Sequence, residues 1–262
     1  MQEKVSLVGA VKSGISGLDN ITGGFRTGEL TAIVSKPSVG KSAFTLNVAV
    51  SAAQAGCVVG YVCNEMGVIG IGQRLISRLG MVDGTVLRKR SIDEQSRDKI
   101  ENAVACGREL PIQWMFDYST VEGITSIVHE QMRGKGMDLL IVDCLQLMES
   151  RYRLLTEYDR LVYITKTLRK TARRENIPVI LLMQPMPSEP ENEGVLREAD
   201  SILHLEECGT YSDSDVDEFG GLEGTRIKNI RIDVSRQYRN VYGRVDVAFI
   251  PEYMLYTSIG RE

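Results

Sequence analysis

Leu30-Thr31-Ala32-Ile33-Val34 runs directly into Ser35-Lys36-Pro37-Ser38-Val39-Gly40-Lys41-Ser42, and a helical stretch over residues 42–55 follows. An apolar, β-forming run that turns through Gly-Lys-Ser into a helix is the context a phosphate-binding loop requires. Backbone N–H groups of the turn converge on the anion at the helix N-terminus. In such a loop Lys41 reaches the β- and γ-phosphates of a nucleotide, the Ser42 hydroxyl ligates a magnesium ion, and Gly40 lets the backbone approach closely. The usual pattern opens on glycine, and Ser35 stands there, one residue short of a full match. An accidental Gly-Lys-Ser turn would not bring strand, turn and helix in this order. The expected nucleotide contacts are therefore Ser35, Lys36, Pro37, Ser38, Val39, Gly40, Lys41 and Ser42.

Outward from this segment, short β-branched runs alternate with longer helical patterns, the signature of β-α-β units and a mainly parallel sheet. The strand-like runs cover residues 30–34, 58–62, 112–115, 139–142, 179–183 and 202–205. Helix-like stretches lie between them at 42–55, 71–78, 92–106, 121–133 and 155–175. Residues 226–256 differ: Ile230-Arg231-Ile232-Asp233-Val234 alternates, which reads as antiparallel strands closing the sheet. Residues 209–224 are acidic, contain glycine and lack periodicity, so a surface loop is expected there. No repeat or linker interrupts the pattern, and the 262 residues suit a single α/β domain.

Hydrolysis needs carboxylates as well as a phosphate cradle. Asp138-Leu139-Leu140-Ile141-Val142-Asp143 is an apolar strand ending in a carboxylate, placed as the second partner of the magnesium. Glu65 follows the strand-like Gly60-Tyr61-Val62 and falls at the same carboxyl edge if the strands are parallel. There it either polarises a water beside the γ-phosphate or serves as a surface-loop glutamate; position alone leaves both open. Gln184, just after the run 179–183, is similarly open between a γ-phosphate contact and a solvated loop residue.

Composition narrows the classes. Apolar residues at 43% and charged residues at 25% fit a soluble globular chain, and the longest apolar runs are far too short to span a bilayer. Met1-Gln2-Glu3-Lys4-Val5-Ser6 does not open like a signal peptide, so a cytoplasmic location is expected. The five cysteines are odd in number and form no C-x-x-C pair, which argues against a disulfide framework or a zinc site. His129 and His204 have no partner at metal-ligand spacing. A net charge of −4 argues against a general nucleic-acid coat, though basic residues gathered on one face remain compatible with it. Arg88-Lys89-Arg90 and Arg169-Lys170 to Arg173-Arg174 are the local clusters, and a charge run is commonly a solvated helix face.

A family resemblance gathers these residues. Gly14-Ile15-Ser16-Gly17-Leu18-Asp19, Thr22-Gly23-Gly24-Phe25, Gly28-Glu29-Leu30, Pro37 to Ser42, Glu65-Met66, Asp143-Cys144-Leu145-Gln146-Leu147-Met148 and Asn176-Ile177-Pro178-Val179-Ile180 resemble, in order, the motor domain of DnaB-type replicative helicases. The similarity runs from about Ser13 to Tyr256. It implies a RecA-like P-loop NTPase fold, ATP with Mg²⁺ as ligands, and a hexameric ring with ATP between subunits. Residue by residue it implies phosphate and metal contacts from Lys41 and Ser42, metal support from Asp143, water activation by Glu65 and a γ-phosphate sensor in Gln184. A basic finger from the neighbouring subunit would come from Ser235-Arg236-Gln237-Tyr238-Arg239-Asn240. Arg236 falls where the family has lysine, whereas Tyr238 takes the usual arginine position and Arg239 lies one residue later. A one-residue shift on a strand turns a side chain to the other face, which ranks Arg236 above Arg239.

Two departures bear on partners. The family's helicases carry an N-terminal domain and linker helix, and about a dozen residues precede the match here, so subunit contacts are expected from the motor domain itself. The segment after Gln184, expected to be a loop gripping single-stranded DNA, is short and carries Glu189, Glu191 and Glu193, with Arg197 as its basic candidate. Arg151 and Arg153 after the Asp143 strand could add two cations. Two activities share this nucleotide site: a translocase on single-stranded DNA working with replication partners, and a regulatory ATPase that switches with ATP without unwinding.

Overall fold

The computed structural model describes residues 9–89, 92–153, 156–186, 188–211, 225–236 and 241–259. Along the chain run β1 (Ala10–Val11), α1 (Ser16–Thr22), β2 (Phe25–Arg26), β3 (Leu30–Val34), α2 (Lys41–Gln54) and β4 (Val59–Cys63). Next come α3 (Val68–Gly80), α4 (Gly84–Lys89), α5 (Glu94–Glu109), β5 (Ile112–Phe116), α6 (Val121–Arg133) and β6 (Leu139–Asp143). A 3₁₀ turn at Leu145–Leu147 leads to α7 (Glu157–Glu175), β7 (Val179–Met183), α8 (Glu189–Leu196) and β8 (Ser201–Thr210). Then β9 (Lys228–Arg236), β10 (Val241–Ile250), a 3₁₀ turn at Pro251–Tyr253 and β11 (Leu255–Ser258) complete the described elements.

Nine strands make one sheet in the order β11-β10-β9-β8-β3-β7-β6-β4-β5. From β8 to β5 every pairing is parallel, and from β8 outward to β11 every pairing is antiparallel. The mainly parallel sheet with an antiparallel C-terminal extension is thus the architecture the sequence implied. Every residue of β3, β4, β6 and β7 is buried, because helices cover both faces and neither face needs a polar alternation. Alternate residues feed two cores. Ile33, Tyr61, Ile141 and Leu182 meet Phe44, Leu46 and Val50 of α2, while Val34, Val62, Val142 and Leu181 meet α6 and α7.

The helices begin and end where local chemistry allows. Thr120 caps α6 by accepting from the Gly123 N–H at 3.3 Å, and Asp93 caps α5 through the Ser96 N–H. At α7 the Thr156 hydroxyl accepts from the Asp159 N–H at 3.0 Å and donates to the Asp159 carboxylate at 2.8 Å. Asn176 ends α7 in the left-handed region at φ 53° and returns the chain to β7.

Three expectations change. Residues 189–196, read as loop, form α8: Ser188 occupies the N-cap position, Pro190 sits in the first turn where no N–H is needed, and Val195 is buried. Gly194 packs so tightly on Tyr158 that a Cβ would lie 1.9 Å from the ring hydroxyl. The expected loop from Gly209 starts later, since Gly209 and Thr210 still belong to β8, and residues 212–224 lie outside the described residues. Short α4 was not foreseen; it ends at Arg88 and Lys89, and Arg90 lies outside the described residues.

The second basic cluster is divided: Lys170, Arg173 and Arg174 are exposed, as a solvated helix face would be, and Arg169 turns inward. Asp200, 4% exposed, accepts from the Leu30 N–H at 3.0 Å through one oxygen. Its other oxygen takes Arg169 at 2.6 Å and Arg173 at 3.3 Å, which ties α7 to the mouth of β3. Asp200→Ala strands a buried N–H and a largely buried guanidinium. It should lower unfolding free energy by about 3 kcal/mol, read as a drop in the urea midpoint with an unchanged slope. A midpoint equal to wild type would show that this buried pair contributes nothing net.

Candidate active site

The parallel register levels the strand ends. Val34 pairs with Met183 and Cys63 with Asp143, so β3, β7, β6 and β4 release their chains along one edge of the sheet. Ser35, Gln184, Asp143 and Glu65 all lie on that edge.

After β3 the turn passes through Ser38 at φ 67° and Gly40 at φ 113°, both in the left-handed region. At Gly40 a side chain is excluded twice, by that φ and by space, because a Cβ would sit 2.6 Å from the Tyr256 hydroxyl and 3.0 Å from Phe249. Lys41, the first residue of α2, is 8% exposed; its ammonium donates to the Ser35 carbonyl at 2.7 Å and the Lys36 carbonyl at 3.2 Å. Burial lowers its pKa, and the negative charges of Glu65 and Asp143 oppose that shift.

Asp143 is 1% exposed, and its Oδ1 has no hydrogen-bond partner among the described residues. Tyr61 reaches its other oxygen at 3.5 Å and exchanges a 2.8 Å hydrogen bond with Thr45 of α2. Burial pushes the Asp143 carboxyl up to about 6; the Ser42 hydroxyl works against that rise, Glu65 adds to it, and Arg74 and Lys41 oppose it. Ligand atoms of Glu65, Asp143 and Cys144 lie within 4.8 Å of one another, with Glu65 exposed and the other two buried. Burial likewise raises the Cys144 thiol, to about 11. A buried carboxylate oxygen without a donor, beside a serine hydroxyl at the phosphate loop, is an oxygen set suited to a hard divalent cation such as Mg²⁺.

Residues 10–258 match the model of the family described as DnaB-like helicase C terminal domain. The chain belongs to that family. Over 96% of its length it is 27% identical to the replicative DNA helicase DnaC of Bacillus subtilis, and it spans 57% of that protein. Among solved structures, the ATPase domain of G40P superposes with TM-score 0.81 at 25% identity, covering 97% of this chain and 94% of that one. A DnaB-like replicative helicase, described together with its interactions with primase, gives TM-score 0.80 at 25% identity over 96% of this chain and 62% of that one. The fold of the DnaB-like domain is therefore the RecA-like ATPase architecture.

Within this domain Lys41, Glu65 and Asp143 are charge neighbours, and Gln184 follows β7 at the same sheet edge. Arg236 is the last residue of β9, opposite Ser201 and Val241, at the far side of the sheet from β4. Arg239 lies outside the described residues. Three contributors escaped the sequence reading. Arg74 of α3 is a charge neighbour of Asp143, Tyr61 and Cys63. The Tyr256 hydroxyl faces the carbonyls of Val39 and Gly40 at 3.4 Å. Gln146, quoted only as part of a motif, binds the backbone of Gln184. No short-range signal marks Arg74 or Tyr256, whose partners are distant in sequence.

The Asp143 shift fixes a pH dependence. Its folded pKa of about 6 lies above the ordinary 3.8, so between those values the folded chain holds more protons than the unfolded one. Stability contributed by the protonated form is lost as pH rises through 6, a cost on the order of 3 kcal/mol at neutral pH and above. Asp143→Asn should therefore stabilise the metal-free protein more at pH 8 than at pH 5. Urea unfolding at both values checks this, and an equal gain at both would remove the assigned titration.

Proposed function

We propose that this DnaB-like domain is an ATP-hydrolysing motor that works between subunits of a ring, commonly a hexamer, and moves on single-stranded DNA in replication. We infer further that residues 1–262 act as one motor domain. The observation that carries the reading is the convergence of Lys41, Ser42, Glu65 and Asp143 on one sheet edge, in a chain whose family is that of helicase C-terminal domains.

The backbone from Ser35 to Ser42 would bind the phosphates, with Lys41 shifting from the Ser35 and Lys36 carbonyls onto the β- and γ-oxygens. Ser42 and Asp143 would hold Mg²⁺, which supplies positive charge against the oxygens on which negative charge accumulates. Glu65, exposed at the rim, orients a water and accepts its proton as the water attacks the γ-phosphorus and the bond from that phosphorus to the β–γ bridging oxygen breaks, releasing ADP and phosphate. Gln184 contacts the γ-phosphate from the end of β7. Arg236, at the end of β9 of a neighbouring subunit, or Arg239 would complete the charge stabilisation. Assembly has its own support in exposed apolar surface beside Glu65: Val68 is 64% and Ile69 79% exposed, and Leu147 lines the same cleft as Met66 and Phe116.

For DNA, Arg151 and Arg153 are exposed after the Asp143 strand and flank the exposed Tyr152. Arg197 is 73% exposed but pairs with Glu193 at 3.3 Å one helical turn earlier in the chain. With so few cations per subunit, binding should be weak for a lone chain and strengthen on ATP-bound assembly.

Glu65→Gln should keep ATP binding while turnover falls roughly 10²-fold or more; a normal rate in that variant removes Glu65 from the chemistry. Specific ATPase activity should rise with protein concentration, and Lys41→Ala subunits mixed with Arg236→Ala subunits should recover part of it. Turnover that is independent of concentration, from a strict monomer, would overturn the shared-site reading. Oligonucleotide binding, titrated with salt in the presence of a non-hydrolysable ATP analogue, tests the DNA contact. Absence of binding at low salt would favour a regulatory ATPase instead.

A further inference from the structure

Beyond Val142↔Leu181 the ladder between β6 and β7 ends, and the two chains diverge toward the site. There the Gln146 side chain, in the 3₁₀ turn just after β6, reaches the main chain of Gln184. Its Nε2 donates to the Gln184 carbonyl at 2.9 Å, and its Oε1 accepts from the Gln184 N–H at 3.2 Å. A primary amide carries the same donor and acceptor pair as a peptide unit, so Gln146 adds one side-chain rung to the sheet. Both backbone groups of Gln184 are held while its own amide is left for other work. The turn bearing Gln146 is held in its turn from α7: the Arg160 guanidinium donates to the Gln146 carbonyl at 3.4 Å and to the Met148 carbonyl.

We propose that Gln146 is a positioning residue for ATP hydrolysis, fixing the Gln184 side chain relative to the γ-phosphate and tying it to the Asp143 strand. The inference rests on the reading of Gln184 as the γ-phosphate contact. Gln146 lies three residues after Asp143, so the bridge links the carboxylate proposed to hold Mg²⁺ with the residue proposed to sense the phosphate, through one short turn. Reacting groups tolerate little misplacement, and a shift near 1 Å costs on the order of 10²-fold in rate. A second consequence follows from the same bond pair. Any movement of Gln184 on loss of the γ-phosphate must break these two hydrogen bonds or carry the turn after β6 with it, and that turn leads to the exposed Arg151-Tyr152-Arg153 segment.

The test uses the full chain with Mg²⁺ and ATP at a concentration where turnover is measurable. Gln146→Met keeps length and volume but removes both hydrogen bonds. Gln146→Glu keeps the acceptor for the Gln184 N–H and sets a carboxylate against its carbonyl, giving a second variant if the first folds poorly. Each should lower kcat by roughly 10- to 100-fold while KM for ATP moves less than about threefold, with the thermal midpoint near that of wild type. Gln184→Ala should give a similar loss, and adding Gln146→Met to it should cost nothing more. Additive losses, or a fall in thermal midpoint that tracks the fall in kcat, would mean Gln146 only supports the fold and would overturn the proposal. If Gln184→Ala slows turnover and both Gln146 variants do not, the positioning role fails while the site stands. If Gln184→Ala leaves turnover unchanged, the reading of Gln184 fails, and the proposal with it.

Discussion

Because Val34 faces Met183 and Cys63 faces Asp143 across parallel ladders, four neighbouring strands end nearly level, and their next residues emerge along one edge of the sheet. Parallel pairing makes this possible, since each strand must be followed by a crossover that leaves from the same edge. The connections after the neighbouring strands β3 and β7 leave in opposite directions, to β4 and to β8, so the winding reverses at that edge beside the phosphate loop. A one-residue slip anywhere in β6 would send Asp143 to the opposite face of the sheet. Full burial of β3, β4, β6 and β7 between two helical layers resists such a slip, because each face demands its own set of apolar side chains.

The antiparallel extension braces the phosphate loop from behind. Tyr256 of β11 stacks on Phe249 of β10 with ring centroids 4.5 Å apart and meets Phe44 of α2 edge-on at 5.4 Å. Its hydroxyl sits against the Val39 and Gly40 carbonyls, and the absence of a Cβ at Gly40 makes room for it. Asn47 of α2 completes the bracket, donating to the Met254 carbonyl at 2.6 Å and accepting from the Tyr256 N–H at 3.2 Å. The helix proposed to present its N-terminus to a phosphate is thereby held at that end by strands from the last tenth of the sequence. β10, which supplies Phe249, also pairs with β9, the strand that ends in Arg236. The brace of one nucleotide site and the strand proposed to serve a neighbouring site are parts of one hairpin.

What could be read in the sequence was whatever local pattern encodes. The strand-turn-helix around Lys41, the carboxylate ending β6 and the alternation in Ile230-Arg231-Ile232-Asp233-Val234 each follow from a few consecutive residues, and the structure places each accordingly. α8 was hidden because three glutamates, Pro190 and Gly194 imitate a loop. Its helix is secured by tertiary packing of Val195 and Gly194, which periodicity over eight residues cannot reveal. The role of Arg169 and Arg173 was obscured for the same reason: their partner Asp200 is about thirty residues away, and a basic run on a helix looks identical whether it faces solvent or a buried acid. Gln146 is the sharpest case, since its partners are backbone groups that carry no sequence signature at all.

The electrostatics of the site explain why so compact a fold tolerates an unpaired buried oxygen. An apolar or amide residue at position 143 would relieve the desolvation that pushes that carboxyl up to about 6, and would relieve its repulsion with Glu65. The carboxylate therefore costs stability in the metal-free chain. A divalent cation would offset that cost by supplying both the missing partner for Oδ1 and a charge opposite to Glu65. Binding that repairs a defect of the folded state stabilises that state by mass action, so nucleotide with its metal should stiffen the sheet edge where it sits. Lys41 carries the complementary problem, a desolvated ammonium held by two main-chain carbonyls, and phosphate oxygens would relieve it in the same event. Burial disfavours both the Asp143 carboxylate and the Lys41 ammonium in the direction a magnesium-bound polyphosphate would correct, and that opposition, more than any single residue, supports the proposal of a nucleotide site at this edge.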